Sequence, residues 1–175
     1  MERITREELE SAFRSYWRTG AVNEDWDGFA NHFTEDARYV EHVLGDLNGR
    51  EQIRSWIKKI MEEYGELYTA YEWHSIDPEA RRIIVYMQNR RDHPAGHGTI
   101  DFPGITVLHY AGDGLFDAEE DFWSVPGARA AAQAYAEACE RHDPDHPHRR
   151  TRLNWGEGPD WTRGAPSYFE RPSAR

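Results

Sequence analysis

The chain has 175 residues, a length that suits one domain around one core. Its aromatic content of 13% promises a packed interior despite 30% charged residues, while the formal net charge of −11 would be repelled by phosphate backbones and anionic membranes, which sets nucleic acid and membrane surfaces aside as partners. A single cysteine, Cys139, forbids an internal disulfide; the charged start, Met1 to Glu10, lacks a secretory apolar run, and no stretch approaches the roughly 18 apolar residues of a membrane helix, so a cytoplasmic protein is expected.

Thr5 with Glu8 forms a capping-box pattern that starts a first helix. Leu9, Phe13, Tyr16 and Trp17 then recur at helical spacing, and Gly20 is expected to end the helix. A shorter helix follows with Trp26, Phe29, Ala30 and Phe33 on one side. Asp36, a turn or cap residue, and Ala37 lead into an extended run from Arg38 to Glu41. Residues 45–49 read as a loop. A third helix carries Ile53, Trp56, Ile57, Ile60 and Tyr64, ending at Gly65.

The period changes after Gly65. Strands are predicted over Leu67–Ile76, Arg82–Asp92, Ile100–Tyr110 (interrupted by Pro103-Gly104) and Leu115–Val125. Asp77-Pro78-Glu79 turns between the first two, and Ala111-Gly112-Asp113-Gly114 is a tight hairpin. Pro126-Gly127 opens an Ala-rich helix that runs to about Arg141. From His142 the chain is rich in His, Pro, Arg and Gly and loses periodicity. The expected organisation is therefore a domain over residues 1–141 and an irregular tail over 142–175, with Trp155, Trp161, Tyr168 and Phe169 available to dock. Helices grouped on one face of a strand run make an α+β fold, a cone-shaped barrel in which three N-terminal helices pack on a strongly curved antiparallel sheet around an apolar pocket.

Strand alternation places candidate chemistry in that pocket. Arg90 and Asp92 share one face of their strand, with Asn89 on the other. Glu119, Asp121 and Trp123 share one face of theirs. Acids entering an apolar chamber need a partner or a raised pKa, and one ionised beside one protonated carboxyl is what acid–base catalysis uses. Tyr16 and Trp17 read as pocket wall. The histidines His142, His146 and His148, with His93 and His97, show no dependable ligand geometry, so no metal is expected. Cys139, on an Ala-rich helix, reads as a buried, inert thiol. No phosphate-binding glycine loop is present, and no cofactor is expected. The apolar run Ile105 to Leu108 faces both sides of the sheet, which predicts a homodimer through the open sheet face.

The element order, with Phe33-Thr34-Glu35-Asp36-Ala37, the Gly49-Arg50-Glu51 helix start and the Gly112-Asp113-Gly114 hairpin, resembles the nuclear-transport-factor-2-like superfamily over roughly residues 5–125. That superfamily includes SnoaL-like polyketide cyclases, ketosteroid isomerases, dehydratases, limonene-epoxide hydrolases and non-catalytic binders. A partial match to the limonene-epoxide hydrolases is more specific. Tyr39-Val40-Glu41 sits where their Tyr-x-Asn pair falls, Arg90-Arg91-Asp92 matches their Arg-x-Asp pair, and Asp121 in Glu120-Asp121-Phe122-Trp123 falls on their strand aspartate. Glu41 replaces Asn and Ser124 replaces a final Asp. The resemblance implies that Asp92, Asp121 and Arg90 meet in the pocket, one Asp activating water and the other protonating an epoxide while Arg90 holds both. Tyr39 and Glu41 would position the water, or Glu41 would compete as base. In an isomerase-like alternative Glu41 holds the general-base position, and Thr106 stands where the oxyanion-hole aspartate would be. SnoaL-like and dehydratase relatives imply roles for His74 and His109 as well. The implied function is a cofactor-free acid–base enzyme on a small, largely apolar molecule (terpenoid, steroid or polyketide-like), first epoxide hydrolysis, otherwise a cyclase, dehydratase or isomerase. A non-catalytic small-molecule binder and a protein-interaction module are the other classes.

Overall fold

A computed structural model describes residues 4–148 and 150–164. The first helix, α1 (Arg6–Trp17), starts where the capping pattern predicts: Thr5 Oγ1 accepts the Glu8 backbone N–H at 3.1 Å, which satisfies one of the orphan donors of the first turn. Its apolar stripe, Leu9, Phe13, Tyr16 and Trp17, is buried. The helix does not stop at Gly20. It runs on as a π-helical turn, Arg18–Val22. Glycine is required there for close approach, since a Cβ would lie 2.5 Å from the Phe29 ring. Helix α2 (Trp26–Ala30) is a single capped turn, with Asp25 accepting from the Gly28 N–H at 2.9 Å.

Phe33, expected on that helix, instead opens β1 (Phe33–Glu41), a longer strand than the predicted Arg38–Glu41 run. The expected loop after it is strand in all but its last residue: β2 (Gly45–Asn48) pairs antiparallel with β1. Helix α3 (Arg50–Glu63) follows, then the long strands β3 (Tyr68–Asp77), β4 (Arg82–Asp92), β5 (Thr99–Gly112) and β6 (Leu115–Trp123). Helix α4 (Val125–His142) is capped by Ser124. Strand β5 is not interrupted at Pro103. Its pairing with β6 begins only at Gly104, opposite Trp123, so the proline lies where β5 has a neighbour on one side alone. The hairpin after β5 uses positive φ at Gly112, Asp113 and Gly114.

The six strands lie in the order β2-β1-β6-β5-β4-β3 in one curved sheet that does not close. One pair, β1 with β6, is parallel, so the sheet is mixed rather than wholly antiparallel. The architecture is α+β. Helix α1 fills the concave face, where Phe13, Tyr16 and Trp17 pack with Phe29, Phe33, Tyr71 and Phe116. The convex face keeps Trp73, Ile84, Ile105 and Phe122 exposed.

The described part of the tail carries two short 3-10 turns, His146–His148 and Asp160–Thr162, and it wraps the free edge of β3. Trp155 packs on Tyr68, 5.0 Å between ring centres, and Trp161 meets Phe13 edge-on at 5.6 Å. Between them Arg152 donates to buried Glu24 at 2.7 Å and to the Gly65 carbonyl at 2.7 Å. Tyr168 and Phe169 lie outside the described residues. Cys139 is a buried free thiol, pushed above its ordinary pKa by burial.

Candidate active site

The register of three adjacent strands builds the polar end of the cavity. In the parallel β1–β6 pair, Tyr39 stands opposite Glu119 and Glu41 opposite Asp121; in the antiparallel β5–β6 pair, Thr106 stands opposite Asp121. Glu41, Asp121 and Thr106 therefore form one cross-strand row, and Tyr39 with Glu119 the next. Because alternate residues share a face, all five project into the concave side. They line a cavity of about 460 Å³ whose other walls are largely apolar, aliphatic and aromatic, among them Trp17, Trp26, Trp56 and Trp123.

The hydrogen bonds in this cluster are mutually consistent. Tyr16 Oη donates to the Glu119 carboxyl at 2.8 Å, Tyr39 Oη to Asp121 Oδ2 at 2.5 Å, and Thr106 Oγ1 to Asp121 Oδ1 at 2.5 Å. Glu41 is committed elsewhere: it accepts from the Trp123 indole N–H and from the Val43 and Leu44 backbone N–H groups, the latter two at 3.0 and 2.5 Å. That clamp fixes the turn after β1 and the Trp123 ring, and it leaves Glu41 little freedom to act as a base.

Electrostatics separate the two remaining acids. Burial, reinforced by the negative charge of Asp121, pushes Glu119 well above the usual carboxylate range. Burial also raises Asp121, with Glu41 adding to it, but hydrogen bonds from Thr106 and Tyr39 hold it to about 6. Asp121, held to about 6, is thus largely ionised at neutral pH, while Glu119 is biased toward its protonated form by burial and by the charge of Asp121. Burial and the two carboxyl groups raise Tyr16 and Tyr39 as well, so both stay protonated donors.

Among the residues singled out from the sequence, Asp121, Glu41, Tyr39, Tyr16, Trp17 and Trp123 line the cavity. Arg90 and Asp92 do not, and the expected meeting of Arg90, Asp92 and Asp121 does not occur. They lie on the opposite face of β4, where Arg90 pairs with Asp101 at 2.7 Å and donates to the Asn154 carbonyl. Asp92 accepts from Tyr68 Oη at 2.7 Å, the Leu153 N–H at 2.9 Å and Asn154 Nδ2 at 2.8 Å. Both anchor the tail. The inward parity of β4 belongs to Ile83, Val85 and Met87, and hence to Asn89 and Arg91. His74 is also outside, bonded to Tyr71 Oη and Glu10 at 2.8 Å each. His109 is on the convex face with Asp117. Glu119, the more deeply buried acid, shared a strand face with Asp121 in the sequence but had no motif to single it out. Among the described residues no group of three or more His, Cys, Asp or Glu side chains is arranged to hold a metal ion, and no helix is long and apolar enough to cross a membrane.

An open cone of this topology with a buried polar cluster at its floor defines a nuclear-transport-factor-2-like protein. The SnoaL-like domain model matches residues 12–117, and the chain belongs to that family. Solved structures of similar fold include an M. tuberculosis LEH-like epoxide hydrolase, at 14% identity and TM-score 0.61, covering 77% of this chain and 96% of that one. Another is the BvnE pinacolase from Penicillium brevicompactum, at 20% identity and TM-score 0.56, covering 76% and 94%. A third is a hypothetical protein with a ketosteroid isomerase-like fold from Catenulispora acidiphila DSM 44928 in complex with trimethylamine, at 18% identity and TM-score 0.56, covering 74% and 95%. No curated protein sequence matches the chain.

Proposed function

We propose that the cavity is the active site of an acid–base enzyme that moves a proton between two positions of a small, largely apolar molecule. The reading rests on one observation above all: two carboxyls on one face of β6, Asp121 and Glu119, are pushed to different protonation states in the same aromatic chamber. Ionised Asp121 takes a proton from carbon beside a carbonyl. Protonated Glu119, backed by Tyr16, donates to the oxygen where charge develops. In a β,γ-unsaturated carbonyl compound, return of the proton from Asp121 to the γ carbon and of the enol proton to Glu119 gives the conjugated isomer; alternatively the enol attacks a second carbonyl of the same molecule and closes a ring, with its O–H proton returning to Glu119 and the new alkoxide taking the proton from Asp121. Both are reactions for which the cluster supplies donor and acceptor.

Epoxide opening is the second reading. It cannot use the Arg90–Asp92 pair, which faces away, but Asp121 can activate water while Glu119 protonates the epoxide oxygen; the epoxide-hydrolase and pinacolase neighbours are consistent with such polar chemistry in this fold. Two label experiments separate the readings. Cyclic and aromatic ketones incubated in D₂O should gain deuterium beside the carbonyl with wild-type protein and not with Asp121→Asn. A panel of alkyl and aryl epoxides in ¹⁸O water, giving labelled diol that depends on Asp121, would assign epoxide opening instead. Tight retention of a ligand with neither reaction would make the protein a binder.

A further inference from the structure

The end of the cavity remote from the carboxyl cluster is cationic. Arg91 is the inward residue of β4 there, and its side chain is only 7% exposed. Glu66 binds its Nε at 2.9 Å and Tyr135 of α4 lies under the guanidinium at 5.3 Å, so its position is fixed from both sides. Its Nη1 is nevertheless buried without a hydrogen-bond partner. An unsatisfied charged donor is costly enough that it points to a missing acceptor. Glu66 already neutralises the Arg91 charge, but α4 adds a second cation. Arg129 lines the same cavity with Ala128 and Ala132, is exposed, and makes no ion pair among the described residues. In a chain of net charge −11, an exposed cavity-lining arginine with no ion pair among the described residues is out of keeping with its surroundings.

The two polar ends are well separated. Val85 stands opposite Thr106, in the row of Asp121, and Arg91 lies six residues further along β4. At 3.3–3.4 Å per residue that is roughly 20 Å between backbones, and inward side chains shorten the span for a ligand to roughly 10–15 Å. Between the ends the wall is mostly apolar, with Met87, Phe102 and Trp123, and Asn89 is the polar residue of β4 there.

We propose that the cavity takes an elongated apolar acid, whose carboxylate is held by Arg129 and Arg91 beneath α4 while its far end lies at Glu119 and Asp121. The substrate class deepens the acid–base reading and rests on it for the chemistry, but not for the binding. Arg91 and Arg129 are specificity-determining residues, placed so that the anion is kept away from the carboxyl cluster that would repel it.

The test is binding of anthracene-2-carboxylate and of its methyl ester, followed by tryptophan quenching and calorimetry at pH 8. The acid should bind about tenfold or more tightly than the ester, as expected for a charge-assisted contact. Arg129→Gln, on an exposed position, should erase most of that advantage without altering the melting temperature. Arg91→Lys, which keeps the charge but not the fork, should reduce it partly. Asp121→Asn should leave the preference intact while removing turnover. Equal binding of acid and ester, no binding of either, or a preference that survives Arg129→Gln would overturn the proposal. A preference that is present in a protein with no proton-transfer activity would overturn only the catalytic reading.

Discussion

The Tyr39 hydroxyl donates to Asp121 Oδ2 across 2.5 Å, from a strand that runs parallel to the one carrying the aspartate. The contact favours the ionised form of Asp121 against the burial that opposes it. Removing it in Tyr39→Phe should move the Asp121 pKa above about 6, so the acidic limb of the pH–rate profile should shift to higher pH. Turnover well above that limb should fall less than at pH 6. An unshifted limb would mean that Asp121 is not the base. Asp121→Asn, which keeps the shape, should cost on the order of 10²–10⁴ in turnover across the whole range.

The same aspartate sets a pH dependence of stability with the reverse sign to that of an ordinary paired acid. Its folded pKa of about 6 lies above the usual carboxylate value, so between those two pH values the native state holds more protons than the unfolded one. Stability is lost as pH rises through this window, by on the order of 3 kcal/mol for a shift of this size. Asp121→Asn should therefore raise the melting temperature at pH 7.5 and lose that advantage near pH 4. Glu119→Gln should change it less than Asp121→Asn at pH 7.5, because burial and the Asp121 charge favour the neutral form of Glu119. Melting curves across pH 4–8 decide the matter; an advantage for the Asn variant that persists at pH 4 would show that charge is not the cause.

The long helices and the strands β3 to β6 were legible because their apolar periodicity is strong, whereas β2 and the start of β1 were not, and β6 was legible at the level of single side chains. Glu119, Asp121 and Trp123 alternate with Glu120, which turns outward to His42. Strand β4 was not. Ile83, Ile84, Val85 and Tyr86 are apolar at both parities, because one face packs in the core and the other stays on the convex surface. With no alternation to fix the phase, the Arg-x-Asp spacing was assigned to the wrong face. The tail partners of Asp92 could not be read either, since Leu153 and Asn154 lie about 60 residues away in sequence with no periodicity to dock them.

The reassignment of Asp92 and the tail can be checked directly. Burial raises the Asp92 pKa, but hydrogen bonds from Tyr68, Asn154 and the Leu153 N–H outweigh it, and the net shift is downward. The stabilisation it gives is present above the ordinary carboxylate pKa and is lost as pH falls through it. Asp92→Asn should lower the melting temperature at neutral pH, with turnover of the folded protein retained. Arg152→Ala should cost more, on the order of 3–5 kcal/mol, because Glu24 is left buried without the guanidinium that faces it. Deletion of the chain after His142 should destabilise at least as much. A truncated protein that melts with the wild type would mean that the tail packs without contributing.

The convex face sets the last expectation, self-association. Trp73 and Tyr86 stack there at 5.5 Å, and Trp73, Ile84, Ile105 and Phe122 are each more than a third exposed. The tail covers Tyr68 at one end of this face and goes no further among the described residues. The β4–β5 register places Tyr86 opposite Ile105, so these side chains form one continuous apolar patch across β3, β4 and β5. An apolar patch of this kind on the convex face suits an identical patch related by a two-fold axis. The protein should therefore be a homodimer by light scattering at micromolar concentration. The double variant Ile84→Glu/Ile105→Glu should be monomeric while retaining its fold by circular dichroism, since both positions are solvent-facing within one chain. A wild-type monomer at all concentrations, or a double variant that remains dimeric, would place the association surface elsewhere or remove it.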